Sequence, residues 1–489
     1  MRVCLINPPL RFPASLGMPR IFPPLGLAYV AATLEGDFEV SLVDAPAQGW
    51  RNLHQIDGKI HLGMEYDQVA AEVKSISPDI VGITVPFSAN IGSAFEVAHR
   101  IKSLSKDIIT VLGGPHPSIK PLECLMNPDV DFVVIGEGEH TMLELVKGLG
   151  ERNNRLKGIR GIAYVDEGKT IVTTSRSPIS DLDSLPFPAR SLLPMKEYFE
   201  AAKAKLTVQE AGKPWATLIT SRGCPYCCVF CSIHVVMGKK WRPRSPENVV
   251  DEIEQLVNRF QVRQIDFEDD NMTLDRKRMA NICDLIVQKG LDIEWFSRNG
   301  VRADTLDESL LRKMKESGCK TIWISPESGV QRIVDHVIKK RMSLKKVEEV
   351  VALCKKVGIT IGCFFVIGLP GETKRDIEDT IRFARRMRRL GADHCDFNIA
   401  TPYYGTELYE QAKQKGYLND LDDESLGTLE PHIATPEFTR KDIYELRKRA
   451  KRATMPPLFS YDNLIRAIRN PGEAKDFIVK RLARTKETV

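Results

Sequence analysis

No apolar run in the 489-residue sequence approaches the ~18 residues a membrane-crossing helix needs, so no membrane span is expected. Charge of one sign is scarce. Lys and Arg number 70 against 65 Asp and Glu, and a net +5 over this length neither demands nor excludes an acidic partner. Repeats and low-complexity tracts are missing. With Gly 33, Pro 29 and 28% charged residues, the composition excludes disorder, collagen and small disulfide scaffolds. The opening Met1-Arg2-Val3-Cys4-Leu5-Ile6-Asn7-Pro8-Pro9 breaks too early for a secretory signal. A cytoplasmic, reducing location is therefore expected. In such a place an odd set of 11 Cys points to metal or redox roles before disulfides.

What is present is two βα series. In residues 1–150, apolar runs at Val3–Asn7, Val40–Asp44, Ile80–Val85, Ile108–Leu112 and Phe132–Ile135 alternate with helical stretches such as Leu27–Leu34 and Ile91–Leu104. That alternation predicts a doubly wound parallel sheet of the flavodoxin or Rossmann type, with ligands at the strands' carboxyl ends. Residues 151–213 read as a linker with a hairpin turning at Asp166-Glu167-Gly168. In 214–405, strands are predicted at Ala216–Thr220, Gln264–Phe267, Glu294–Ser297, Thr321–Ser325, Thr360–Ile367 and His394–Ile399. With the helices between them they predict a partial (β/α)6 barrel whose chemistry sits in the loops after the strands. Residues 406–489 read as a helical, basic C-terminal region, and its Arg447-Lys448-Arg449 run as a solvated helix face.

The sharpest motif follows the first strand of the second series: Cys224, Cys228 and Cys231, spaced C-x3-C-x2-C, with Phe230 just before the last. Three thiolates so close in sequence reach three corners of one iron–sulfur cluster, and no fourth Cys follows at a ferredoxin-like interval. One iron is then left for a substrate. A zinc site would need a spacer of about a dozen residues between Cys pairs, which is missing here. Cys227 reads as a spare thiol with a packing role. Cys283, Cys319, Cys354, Cys363 and Cys395 are scattered singly, so one cluster is expected.

Over residues 215–405 the chain resembles the radical S-adenosylmethionine (SAM) enzymes. The resemblance implies that the three Cys hold a [4Fe–4S] cluster and that SAM chelates its open iron, to be cleaved to a 5′-deoxyadenosyl radical. An external electron donor of the ferredoxin or flavodoxin type is implied too. The strand-end segments Phe267-Glu268-Asp269-Asp270-Asn271, Ser297-Arg298-Asn299, Glu327-Ser328-Gly329 and Gly368-Leu369-Pro370-Gly371-Glu372 match the family's SAM-contact positions. They make Phe230, Asp269, Asp270, Asn271, Ser297, Arg298, Glu327 and Gly368 the expected SAM contacts. Tyr404 stands where the family usually has Pro and reads as a packed aromatic. Asp275 and Asp307 read as helix caps.

The first series resembles the cobalamin-binding domain that precedes many radical SAM cores. The matching segments imply corrinoid contacts at Asn7, Pro8, Pro9, Gly113, Gly114, His116, Gly136, Glu137 and Gly138, with the loop Pro86-Phe87-Ser88 beneath the cobalt. The cobalt-ligating Asp-x-His-x-x-Gly pattern keeps its ends, Asp44 and Gly49, but has Pro46 at the His position. Pro has no lone pair to offer, so cobalamin without a protein His ligand is expected.

Together these imply a cobalamin-dependent radical SAM methyltransferase acting on an unactivated carbon of a protein or small molecule, with no specific nucleic-acid partner. The compact layout is similar to archaeal members that methylate a glutamine of methyl-coenzyme M reductase. The alternatives are an oxidative cyclase of the anaerobic magnesium-porphyrin type and a non-enzymatic cobalamin sensor. Methylthiotransferases fit less well: they carry a Cys trio in the preceding domain, where only Cys4 and Cys124 stand here.

Overall fold

The structure is a computed structural model that describes residues 1–150, 156–207, 213–418, 421 and 423–455. Two α/β layers follow one another along the chain. The first sheet has seven strands in the order Lys169–Val172, Ile162–Asp166, Phe132–Val134, Ile109–Gly113, Ile80–Thr84, Arg2–Asn7 and Glu39–Asp44. The five sequence-predicted strands are all present and parallel. Buried on both faces, they read as continuous apolar runs, and each face feeds its own core.

The predicted hairpin forms, with Glu167 and Gly168 both at positive φ as a type I′ turn requires. It is part of the first sheet rather than a free linker: Val134 pairs antiparallel with Ile162. The sequence reading missed three short strands, Leu10–Pro13, Leu53–Ile56 and Lys59–Leu62, which form a separate antiparallel sheet. At four residues each, with Arg, His, Gln and Lys among them, they are too short and too mixed to carry an apolar signature.

The second sheet is six parallel strands in chain order, Trp215–Leu218, Gln264–Phe267, Glu294–Val301, Cys319–Glu327, Thr360–Ile367 and His394–Ile399. This is an open barrel, with helices packed outside on one large core. Asp275 and Asp307 cap their helices, accepting from the amides of Arg278 (3.0 Å) and Leu310 (2.8 Å). The basic helix Arg440–Thr454 is more than a solvated face: Arg447 donates to the Phe397 carbonyl at 2.8 Å and Arg449 pairs with Glu378. The rest of the expected basic region, beyond residue 455, lies outside the described residues. Among the described residues no helix is long and apolar enough to cross a membrane.

Candidate functional site

The cysteine loop leaves the first barrel strand through a clip in which Ser221–Arg222 pairs antiparallel with Arg242–Pro243. Gly223 then turns at φ +79. A Cβ there would lie 2.5 Å from the Lys240 carbonyl, so the turn admits only glycine. Cys224, Cys228 and Cys231 are partly buried and lie near enough to sense one another's charge, while Cys227 is exposed. Burial pushes the thiol of Cys228 up to about 11 and that of Cys231 to about 12. Lys340 and Arg302 act on Cys228 in the opposite direction.

These are thiols waiting for a cationic partner, and bound iron supplies the charge that converts them to thiolates. Among the described residues no three His, Cys, Asp or Glu side chains converge on a single-ion point.

The acids after the second barrel strand build the loop. Asp269 accepts from the Thr220 amide (2.9 Å), the Thr220 hydroxyl (2.7 Å) and the Ser221 hydroxyl (2.5 Å), and is 4% exposed. Asp269, an expected SAM contact, is thus turned onto the loop, which donates three hydrogen bonds to it. Asp270 accepts from the Gly223 amide at 3.1 Å, and Asn271 donates toward the Cys224 sulfur at 3.9 Å. All three lie behind the cysteines.

At the barrel mouth a cavity of about 310 Å³ is lined by Phe230, Arg298, Asn299, Ser325, Glu327 and Tyr403, among others. Three expected contacts, Phe230, Arg298 and Glu327, are here. Arg298 is held by Asp266 (3.0 Å) and lies 4.4 Å over the Phe296 ring. Glu327 sits at φ +65 and pairs with Lys340 at 2.7 Å; burial raises its pKa. Besides Asp269, Asp270 and Asn271, two more expected contacts, Ser297 and Gly368, do not line this cavity. Ser297 is buried in the sheet. Gly368, at φ +89, faces Ile443 and donates its amide to Glu372 at 2.8 Å, so it turns the chain. Ser325 and Asn398 were missed, although Asn398 follows the alternation of its strand, while Tyr403 stands in the segment that closes the sixth strand.

A larger cleft of about 570 Å³ runs along the carboxyl ends of the first sheet and reaches the barrel. Asn7, Pro86, Phe87, Gly113, Gly114, Gly136, Glu137 and Gly138 line it as expected. Phe87 is 68% exposed into this open space. Gly114 at φ +107 closes on the Val85 carbonyl, where a Cβ would come to 3.1 Å. Pro46 lines the cleft, and among the described residues no histidine does.

Several expected corrinoid contacts are placed elsewhere. Asp44 is fully buried, accepting from Asn7 at 2.8 Å and from the Tyr198 hydroxyl, and burial raises it to about 6. Gly49 packs where a Cβ would meet the Met64 amide at 2.1 Å. Pro8 and Pro9 turn behind the strand, with the Pro9 carbonyl accepting from Ser93 at 2.7 Å. Ser88 and His116 bond each other (2.8 Å), and the His116 Nε2 is buried with no partner; burial disfavours its charged form.

Glu137 reaches the cleft rim but is spent on Arg222 (2.9 Å) and Arg242 (2.8 Å), while Glu139 takes Arg222 at 2.7 Å. This buried cluster ties the first sheet to the base of the cysteine loop. The sequence signals only its acidic half, the Gly136-Glu137-Gly138-Glu139 run. Tyr404 also bridges the two halves, with the Lys120 ammonium 3.7 Å over its ring, and so it is a packed aromatic.

Asn299 lines both cavities, and its amide donates to Glu268 (3.0 Å), which lines the cleft. The barrel mouth and the cleft therefore lie side by side at this pair. A three-thiol loop at a barrel mouth, joined to a glycine-lined cleft on a doubly wound sheet, defines a two-domain radical enzyme class.

Comparison with known proteins places the chain within it. Residues 218–384 match the radical SAM superfamily and residues 18–146 the B12 binding domain. An uncharacterised methyltransferase of Pyrococcus horikoshii is 35% identical, with 92% of this chain and 91% of that one covered. The cytidylyl-2-hydroxyethylphosphonate methyltransferase of Streptomyces wedmorensis is 31% identical over 86% and 83% of the two chains. The radical SAM methyltransferase TsrM of Kitasatospora setae, solved with cobalamin and a [4Fe–4S] cluster bound, shares the fold. Its TM-score is 0.66 at 19% identity, covering 86% of this chain and 79% of that one. The chain belongs to the cobalamin-dependent radical SAM methyltransferases.

Proposed function

We propose that the protein methylates an unactivated carbon of an acceptor that enters where the two cavities meet, at Asn299 and Glu268. The observation that carries this reading is that Asn299 lines both spaces, so groups held in each can act on one acceptor. When bound, the cluster with SAM supplies a carbon radical and cobalamin supplies a transferable methyl group; the protein supplies position and shielding.

Cys224, Cys228 and Cys231 would hold the cluster. Arg298, Glu327 and Phe230 would orient SAM in the barrel-mouth cavity, and Asp269, Asp270 and Asn271 would keep the cysteine loop in place behind it. The glycines after the first sheet's strands would let a large ligand lie against bare backbone. Pro46 lines the cleft where a ligating His would stand, and no His lines it, which supports cobalamin held without a protein ligand to cobalt.

The test is turnover with methyl-labelled SAM, cobalamin and reductant under anaerobic conditions. Peptides bearing the glutamine of methyl-coenzyme M reductase head the acceptor panel, because the sequence layout implies that acceptor. Labelled methyl on carbon, with 5′-deoxyadenosine formed, is the expected result. An oxidised but unmethylated product would instead favour a cyclase, an activity named among the relatives: the anaerobic magnesium-protoporphyrin IX monomethyl ester cyclase of Rubrivivax gelatinosus is 29% identical.

A further inference from the structure

Of the carboxylates that line the large cleft, Glu137 and Glu139 are neutralised by the buried Arg222 and, for Glu137, by Arg242 as well. Glu268 is different. Among the described residues its carboxylate accepts one hydrogen bond, from the Asn299 amide to Oε2 at 3.0 Å, and meets no cation at ion-pair distance. The Arg298 guanidinium is held by Asp266 at 3.0 Å. Burial, and then the charge of Asp266, push the Glu268 carboxyl up to about 7. A carboxylate so placed is costly until a donor arrives.

The backbone fixes this pair. The Glu268 amide donates to the Leu218 carbonyl at 2.9 Å, extending the pairing of the first two barrel strands. Asn299 lies where the third barrel strand shifts register against the fourth, between Ser297 and Val301. Gly300, at φ +97, lets the chain make this shift; a Cβ there would come 2.5 Å from the Ser325 hydroxyl. Because the Asn299 nitrogen is engaged with Glu268, the pair keeps two acceptors, Oε1 of Glu268 and Oδ1 of Asn299. Neither has a partner among the described residues. Ile219, Val236 and Met237 give the same side of the cleft an apolar wall, where a hydrogen bond is stronger than in water. Two acceptors without a free donor select for N–H groups and against ketones, ethers and esters.

We propose that Glu268 and Asn299 recognise the methyl acceptor through an N–H-bearing group, a carboxamide or an ammonium, close to the carbon that is methylated. The inference rests on the methyltransferase reading and specifies its acceptor. Glu268 is then a specificity-determining residue, and it acts by accepting hydrogen bonds.

The test is a ligand-observed NMR titration of the reconstituted protein loaded with cobalamin and SAM. The probes are pentanamide, pentylammonium and 2-hexanone, which has the shape of pentanamide but no N–H. One N–H probe should bind about tenfold or more tightly than the ketone, as a hydrogen bond to a charged group implies. Glu268→Leu should erase that preference. Glu268→Gln, a near-isostere, tells the two sources apart: it should retain binding of pentanamide and lose that of pentylammonium. Cobalamin and SAM affinities should stay within about twofold in both variants. Equal binding of all three probes, or a preference that survives Glu268→Leu, would overturn the inference. So would a tenfold fall in cobalamin or SAM affinity in Glu268→Gln, which would assign the pair to a cofactor. Binding is read without turnover, so absent methylation beside Glu268-dependent binding would break the methyltransferase reading and leave the N–H site standing.

Discussion

The two sheets turn their carboxyl ends toward a common space but furnish it differently. The first offers bare backbone and apolar side chains around a cleft of about 570 Å³, and its acids Glu137 and Glu139 are turned onto arginines of the other layer. The barrel offers a smaller mouth of about 310 Å³ set with Arg298, Asn299, Ser325 and Glu327. A wide cleft lined by glycine suits a large ligand that carries its own polar groups. A narrow polar mouth suits a small zwitterion met by fixed side chains. The acids are committed in both halves: Glu137 and Glu327 each line a cavity while paired to a buried cation, and Asp269 is held by the cysteine loop.

If the barrel half depends on its cysteines and the first half on its bare backbone, their substitutions should separate. Cys228→Ala should abolish 5′-deoxyadenosine formation and strip iron while cobalamin binding persists; retained formation would break the assignment. Glu137→Ala strikes the seam between the halves. It leaves Arg222 and Arg242 short of a partner in the interior, and urea unfolding should show a loss of about 3–5 kcal/mol.

Gly113→Leu tests the first half alone. A Cβ there meets only Val134 at 3.8 Å, so the fold should survive while the side chain fills the cleft. Cobalamin affinity should fall about 10- to 100-fold, as overpacking of ~1–3 kcal/mol implies, with iron content unchanged. Equal loss of both cofactors would erase the distinction between the halves.

Asp44 gives a pH signature. Its folded pKa of about 6 lies above the 3.8 of an ordinary Asp, so the native state binds the proton more tightly than the unfolded chain. The protonated group favours folding below about pH 4, and stability then declines as pH rises through 6, by about 3 kcal/mol in all. Asp44→Asn should flatten that decline in unfolding measured across pH 4–7. The smallest effect belongs to Tyr404: removing its ring with Tyr404→Leu should cost ~0.5–1 kcal/mol and leave SAM cleavage intact.

Much of this architecture was legible in sequence because periodicity reports burial. Gln264–Phe267 and Thr360–Ile367 form as predicted, being largely buried runs, and His394–Ile399 forms as predicted with Phe397 and Ile399 buried. The cysteine trio was legible because its spacing is local. Contacts across the chain were not. Nothing near Asp44 announces Tyr198, 154 residues away, and Glu137 gives no sign that Arg222 and Arg242 will claim it. The acids after the strands stand out in sequence, but the hydrogen bonds that hold Asp269 and the arginines that hold Glu137 do not. Asn299 and Glu268 stood in segments singled out for SAM, yet their place at the junction depends on how two sheets face each other.

The most direct measurement is electron paramagnetic resonance of the anaerobically reconstituted, reduced protein with and without SAM, alongside its metal content. About four irons per chain and a reduced-cluster signal that changes when SAM is added are expected, since SAM would meet the iron the three thiols leave open. Bound zinc, or a signal indifferent to SAM, would contradict the account.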